Sequence, residues 1–327
     1  MTNFQVYRKT LAFSFIDFGF GLISLALLIG SCTAGFFIAD NGEGSRALIG
    51  LAIGFVVGII LMIAMSYRVL NRIKAAQIAM MTKGVADNEL PESGVVKAGF
   101  NEVKGRFAKI TVFFLVTGAI KSMFRQVGRA INGVGRVVGG QAGDTVTSVI
   151  DSAVQILLAY LTDCCLGWVM YRKDEGVAKA ACEGAVIFFK SGKTLFRNIG
   201  RIFGMGFLSF LLVGGALFGG LYAILSNFPN MWQTLSNEIV QAMQGGEGEI
   251  PEFIYNPTYL MLFACGILAI IIWSMIHSVV MRPFILVGVL RNFVAVGLKD
   301  RPTEADIKEL ENKSPKIARL RQKMESK

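Results

Sequence analysis

Four basic side chains, Lys121, Arg125, Arg129 and Arg136, recur at i, i+4, i+8 and i+15 in a stretch otherwise apolar enough to enter a membrane. That spacing puts them on one stripe of a helix. Past a turn rich in glycine (Gly133, Gly135, Gly139, Gly140, Gly143), a second apolar run carries Asp151, Gln155 and Asp163. If 107–171 is an antiparallel helix hairpin turning near Gly140, Arg129 falls near Asp151 or Ser152, Arg125 near Gln155 and Arg136 near Asp144. An unpaired charge in hydrocarbon costs several kcal/mol, about 2.5–3.5 on insertion scales. The hairpin must therefore face protein, water or the interface. Two chemistries fit: a polar path for a small solute or ion, with an excess of positive charge favouring anions, or charge pairs that clamp the hairpin or join protomers of an oligomer.

A second basic stripe, Lys190, Lys193, Arg197 and Arg201, recurs at i, i+3, i+7 and i+11. Phe188, Phe189, Leu195, Phe196, Ile199 and Ile202 supply its apolar side. The pattern predicts an amphipathic helix in the head-group plane, its cations near anionic lipid phosphates on the cytoplasmic side.

Nothing else in the chain assembles a reaction centre. His277 is the only histidine, so no Ser-His-Asp or HExxH arrangement is available, and no Walker, kinase or dinucleotide fingerprint occurs. Ser191-Gly192-Lys193-Thr194 ends like a phosphate loop, but the upstream glycine, Gly184, stands at the wrong distance. Asp151 and Asp163 are twelve residues apart, about 18 Å along a helix, too far for a retaining carboxylate pair. The five cysteines include no CxxC and no Cys/His ligand spacing. Adjacent Cys164 and Cys165 read as small buried hydrophobes before palmitoylation sites. The expectation is a non-enzymatic protein with no cofactor and no metal. Basic stretches beside apolar spans, with few exposed aromatics, point to head groups and not to nucleic acid.

The elements that must position these residues follow from composition. The chain is 53% hydrophobic and 17% charged, with mean hydropathy +0.55; soluble domains carry about 25% charged residues. Four uncharged runs, 18–39, 47–66, 203–226 and 258–281, reach the roughly 20 residues that cross a bilayer. The first exceeds the length of a signal-peptide core and a second follows at once. The fold class expected is all-α, a polytopic helical membrane bundle over 1–302 with a polar basic tail over 303–327.

Lys and Arg outnumber Asp and Glu by eight to four in 67–110, by seven to three in 171–202 and by nine to six from 299 onward. The stretch 227–257 has no Lys or Arg, only Glu238, Glu247, Glu249 and Glu252. The positive-inside rule places that stretch outside, and both termini in the cytoplasm. Residues 107–171 then cross twice or not at all. Crossing at 107–130 and 148–171 gives six spans, with Trp168, Tyr171, Arg172 and Lys173 as interfacial anchors. The alternative is four spans plus a re-entrant or interfacial hairpin.

Smaller signals complete the pattern. Gly50, Gly54 and Gly58, and again Gly215 and Gly219, are spaced for close helix packing. A short helix is expected over 232–243, as a cap or a solvated connector. Thr303 and Asp306 form a capping box with Asp in the usual Glu position. With no disulfide framework and no outward-facing glycosylation sequon, the pattern leans toward a bacterial plasma membrane.

Overall fold

The computed structural model describes residues 1–39, 44–65, 69–106, 118, 143–196, 199–243, 252–313, 318–319 and 321–322. All regular structure among them is helical. Two units divide the chain: Met1–Ile199 with Pro283–Lys327, and Gly200–Arg282. The first contains α1 (Asn3–Ala39), α2 (Gly44–Met65), α3 (Asn71–Ala86), α4 (Val95–Arg106), α5 (Gly143–Tyr171) and α6 (Val177–Phe196). The second contains α7 (Ile199–Ser209), α8 (Gly215–Leu225), α9 (Pro229–Met243), the single turn α10 (Glu252–Tyr255) and α11 (Pro257–Ile276). The chain then returns to the first unit through α12 (Arg282–Lys299) and α13 (Glu304–Lys313). Among the described residues three helices, Asn3–Ala39, Ile202–Leu225 and Pro257–Lys299, are long and apolar enough to cross a membrane, the mark of an integral membrane protein. A shorter apolar helix covers Ile49–Met65.

In the first unit, α1 is 37 residues long, about 55 Å against a hydrocarbon layer of roughly 30 Å. One helix therefore meets two environments. Val6, Tyr7, Thr10, Phe13 and Ser14 at its start are buried in protein, whereas Leu22, Ile23, Leu25, Ile29 and Phe37 farther along are exposed. That outer part pairs with α2. A Cβ on Gly35 would collide with the Gly50 carbonyl, one on Gly54 with the Ser31 carbonyl, and one on Gly58 with the Ser31 hydroxyl. These pairs run in opposite sequence directions, so the helices are antiparallel and touch backbone to backbone, as small residues permit where lipid gives no hydrophobic drive.

The core of this unit lies around α3, which packs on α1, α4 and α5 and buries eleven of its 16 residues. Phe13, Ile73, Ile78, Met80, Met81, Leu161, Trp168, Ile187 and Phe293 are the largest fully buried side chains. α5 supplies Tyr160, Leu161, Cys164, Cys165, Leu166, Trp168, Val169 and Met170 to it. This corrects the sequence expectation for the end of 148–171. Trp168 is not an interfacial anchor; it is fully buried, and its indole bonds a carboxylate within the core. An apolar face reads the same in sequence whether lipid or protein covers it, and here protein covers the last three turns. Cys164 and Cys165 are buried, as their small size and apolar neighbours implied.

The residues of α6 from Ala180 to Phe188 are buried against α5 and α13, while Phe189, Leu195, Phe196 and Ile199 of the face expected in the head-group plane lie outside the residues whose side chains are described. The tail helix α13 is docked on it, with Ile307 and Leu310 buried against Cys182, Ala185 and Val186. The capping box forms as expected: the Thr303 N–H and hydroxyl both donate to Asp306 Oδ2 at 2.8 Å, and the Asp306 N–H donates to Thr303 Oγ1 at 3.3 Å.

The second unit is built on two apolar helices. Both are interrupted by a π-helical turn, Phe210–Gly214 between α7 and α8 and His277–Met281 after α11. Pro283, which cannot donate a backbone N–H and crowds the carbonyl four residues back, accounts for the second. Asn256 caps α11, accepting from the Thr258 N–H at 2.9 Å, with Pro257 at the first helical position. The helix expected over 232–243 is present as α9. It folds back onto α8 and α11: Trp232 packs with Leu260, Met261 and Cys265, and its Nε1 donates to the Leu225 carbonyl at 3.1 Å. Ser236 donates to the Ile254 carbonyl. Gly215 and Gly219, expected at a packing face, meet nothing within 4 Å.

Candidate functional site

Within the second unit the two apolar helices bring three polar side chains together. Ser209, the last residue of α7, is 3% exposed and accepts a hydrogen bond from Trp273 Nε1 at 3.2 Å. A serine hydroxyl that accepts still holds its own proton to donate. The Trp273 ring meets Phe210 edge to face at 5.1 Å and stacks, tilted by 40°, on the His277 ring at 5.2 Å. Glycine makes the room. Gly214 lies against Phe210 and Trp273, and a Cβ on Gly206 would come within 3.8 Å of His277 Nε2. Both π turns adjoin the cluster, one beginning at Phe210 and the other at His277. A π turn shifts the backbone register and leaves carbonyls without regular partners, which is why such turns collect at functional sites. The result is a compact set of donors, acceptors and aromatic faces in helices that carry no Lys, Arg, Asp or Glu between 202 and 225 or between 257 and 281.

The residues singled out from sequence are placed as follows. Lys121, Arg125, Arg129, Arg136 and Arg197 lie outside the described residues, as does the pairing of Arg129 with Asp151. Asp151 is on α5, and Gln155, one turn on, is exposed. Asp163 is buried in the first unit and ion-paired with Lys74 of α3 at 3.1 Å. Lys193 is on α6 and Arg201 on α7. Lys190 pairs with Asp306 at 2.8 Å and Asp300 at 3.8 Å, and the Asp306 bond raises its pKa.

Sequence reasoning missed Ser209 and Trp273, and also a buried charge cluster at the end of α5. There Arg172, 5% exposed, pairs with Glu183 at 3.3 Å, with Asp174 at 2.9 Å and with Glu175 at 3.2 Å. Trp168 Nε1 donates to Glu183 Oε2 at 2.9 Å. Burial, only partly offset by the Trp168 bond and Arg172, pushes the Glu183 carboxyl up. Arg106 donates to the carbonyls of Val169, Arg172 and Glu175 at 2.8–2.9 Å, satisfying acceptors that a helix end otherwise leaves orphaned. The available signal was weak: a Trp and a Ser interrupting apolar runs, and an arginine with three acids within eleven residues.

The same unit holds a cavity of about 600 Å³ bordered by Gln5, Arg8, Lys9, Lys83, Asn88 and Glu89, polar and wide to solvent. Among the described residues no three His, Cys, Asp or Glu side chains converge as a metal site. No family model, no curated protein and no solved structure matches the chain.

Proposed function

We propose that this chain is a non-enzymatic, six-span protein of a bacterial plasma membrane that passes a small solute or ion, with both termini in the cytoplasm. The supporting observation is the Ser209–Trp273–His277 cluster beside two π turns in membrane-length apolar helices. Polar groups in such helices are costly and mark pathways, and irregular backbone in lipid is tolerated only where protein or a water-filled cavity receives it. The Lys121–Arg136 stripe with Asp151 and Gln155 is a separate candidate for a polar path, within the first unit. Asp163 belongs to the clamp formed with Lys74.

Reconstitution in liposomes tests this. Flux of a small solute or ion is expected, and Ser209→Ala, His277→Phe, Arg125→Ala and Arg129→Ala should each change its rate severalfold while the protein remains folded. No flux across a broad panel of anions, cations and neutral solutes would overturn it. The six-span topology has its own check: a cysteine at Gln141 should react with an impermeant thiol reagent from outside, and labelling only after permeabilisation would exclude it.

A second reading, a membrane scaffold or assembly subunit, is favoured by one observation. In the first unit Asp163 pairs with Lys74 and Glu183 with Arg172, both carboxylates buried within the protein. Under that reading the hairpin charges contact other protein or anionic lipid, with Lys193, Arg197 and Arg201 toward head groups. A partner that co-purifies and is lost on Arg125→Ala, in a protein without flux, would select it.

A further inference from the structure

Lys179, Cys182, Val186 and Lys190 follow one another at i, i+3, i+7 and i+11 on α6, a single helical face. The docked tail helix α13 covers that face. Its Ile307, fully buried, and Leu310 press on Cys182, Ala185 and Val186. Its first turn straddles the strip, with Glu304 on Lys179 at 3.2 Å and Asp306 on Lys190 at 2.8 Å. Asp300, just before the helix, adds a longer contact to Lys190 at 3.8 Å. Arg321 folds back on the outer side, reaching Glu311 at 3.3 Å and Glu304 at 3.6 Å.

Three features make this contact detachable. α13 has ten residues, too few to hold helical structure alone in water, so undocking and melting are one event. Its apolar anchor is two side chains. Of the paired groups Lys190 is 42%, Glu304 49% and Asp300 65% exposed, Lys179 29% and Asp306 14%, and pairs at the surface are screened by salt.

We propose that α13 is a latch set by ionic strength. Docked, it pairs with Lys190, adds Glu304 to the Glu175 carboxylate that already holds Lys179 at 2.9 Å, and shields Cys182. Released by salt, it melts and frees Lys190, leaving Lys179 with Glu175 alone, on the helix that leads, with five residues between, into the apolar helix 202–225. The device is separate from the transport reading and stands or falls without it.

The Cys182 thiol reports the state directly, and Cys164, fully buried in α5, reports general unfolding. The full chain in uncharged detergent is treated with N-ethylmaleimide, and modification of each cysteine is followed by peptide mass spectrometry. Between about 0.05 M and about 1 M KCl the Cys182 rate should rise about tenfold, the scale three screened surface pairs supply, with Cys164 unchanged. Glu304→Gln with Asp306→Asn should raise the rate in low salt and flatten its salt dependence. Ile307→Asp should raise it at every salt concentration, and Asp306→Lys combined with Lys190→Glu should restore protection. The latch is overturned if Cys182 follows Cys164 at all salt concentrations, if Ile307→Asp leaves Cys182 protected, or if the neutralised variant keeps the full salt response.

Discussion

The two units solve the same problem, holding helices together, with different chemistry. In the first, large side chains meet in a core and buried charges are matched: Lys74 with Asp163, Arg172 with Glu183, Arg106 with three carbonyls. In the second, the apolar helix 202–225 and α11 expose many large apolar residues, Leu211, Leu212, Ile224, Ile267 and Ile270 among them. They are joined by a small cluster at each end, around Trp232 and around Trp273. The contrast runs between the core around α3 and the apolar helices, since α1 and α2 of the first unit also meet through glycine backbone, and it follows from what drives association. Where water surrounds a helix, removing apolar area drives association at about 25 cal/mol per Å². Where lipid does, that drive vanishes, and close packing with isolated hydrogen bonds is what remains.

The sharpest way to break this contrast is to delete the same kind of group on both sides. Trp168→Ala should destabilise the protein by about 3–5 kcal/mol, seen as an early thermal unfolding transition in detergent. Leu212→Ala, at a side chain 64% exposed, should stay within about 0.5 kcal/mol. Equal costs would mean that a protein partner covers Leu212. A smaller effect comes from adding atoms. Gly54→Val, which drives side-chain atoms into the Ser31 carbonyl of α1, should cost about 1–3 kcal/mol, while Gly219→Ala, open to 4 Å, should cost nothing measurable or stabilise. Ser209→Ala comes next: leaving the Trp273 N–H without its acceptor should cost about 1 kcal/mol, with Ser209→Thr retaining most of it.

The mildest test concerns pH. Lys190, with help from Thr303, holds the Asp306 carboxyl at about 2 against an ordinary 3.8. A depressed carboxylate stabilises the docked state fully above its ordinary value and loses that contribution as pH falls through about 2. Hydrogen exchange of the 303–313 segment should therefore stay slow from neutral pH down to about 4 and quicken only below. Release near pH 5 would show that another group controls the contact.

Much of this arrangement was legible in the residues. The apolar runs at 18–39, 203–226 and 258–281 read out as membrane-length helices because run length is a local property. The packing role of Gly50, Gly54 and Gly58 followed from their spacing, and the Thr303–Asp306 box from two residues three apart. The matching row Gly215 and Gly219 misled, because spacing names a smooth face and says nothing of what comes to lie on it. Asp163 stood out in sequence as a charge in an apolar run, and no partner for it could be read there. It pairs with Lys74, 89 residues back, a distance over which pattern carries no information.

The sequence by itself determined how much of the chain is apolar enough for lipid, where basic and acidic stretches alternate, and which short segments cap or break helices, since each depends on neighbours within a few turns. Only the tertiary structure decided that the last turns of α5 and the stretch of α6 from Ala180 to Phe188 are sheltered by protein, that Trp273 finds Ser209, and that the tail closes over Lys190. Transfer out of water rewards an apolar side chain about equally in lipid and in a protein interior, so the identity of the apolar surroundings is settled by long-range packing alone.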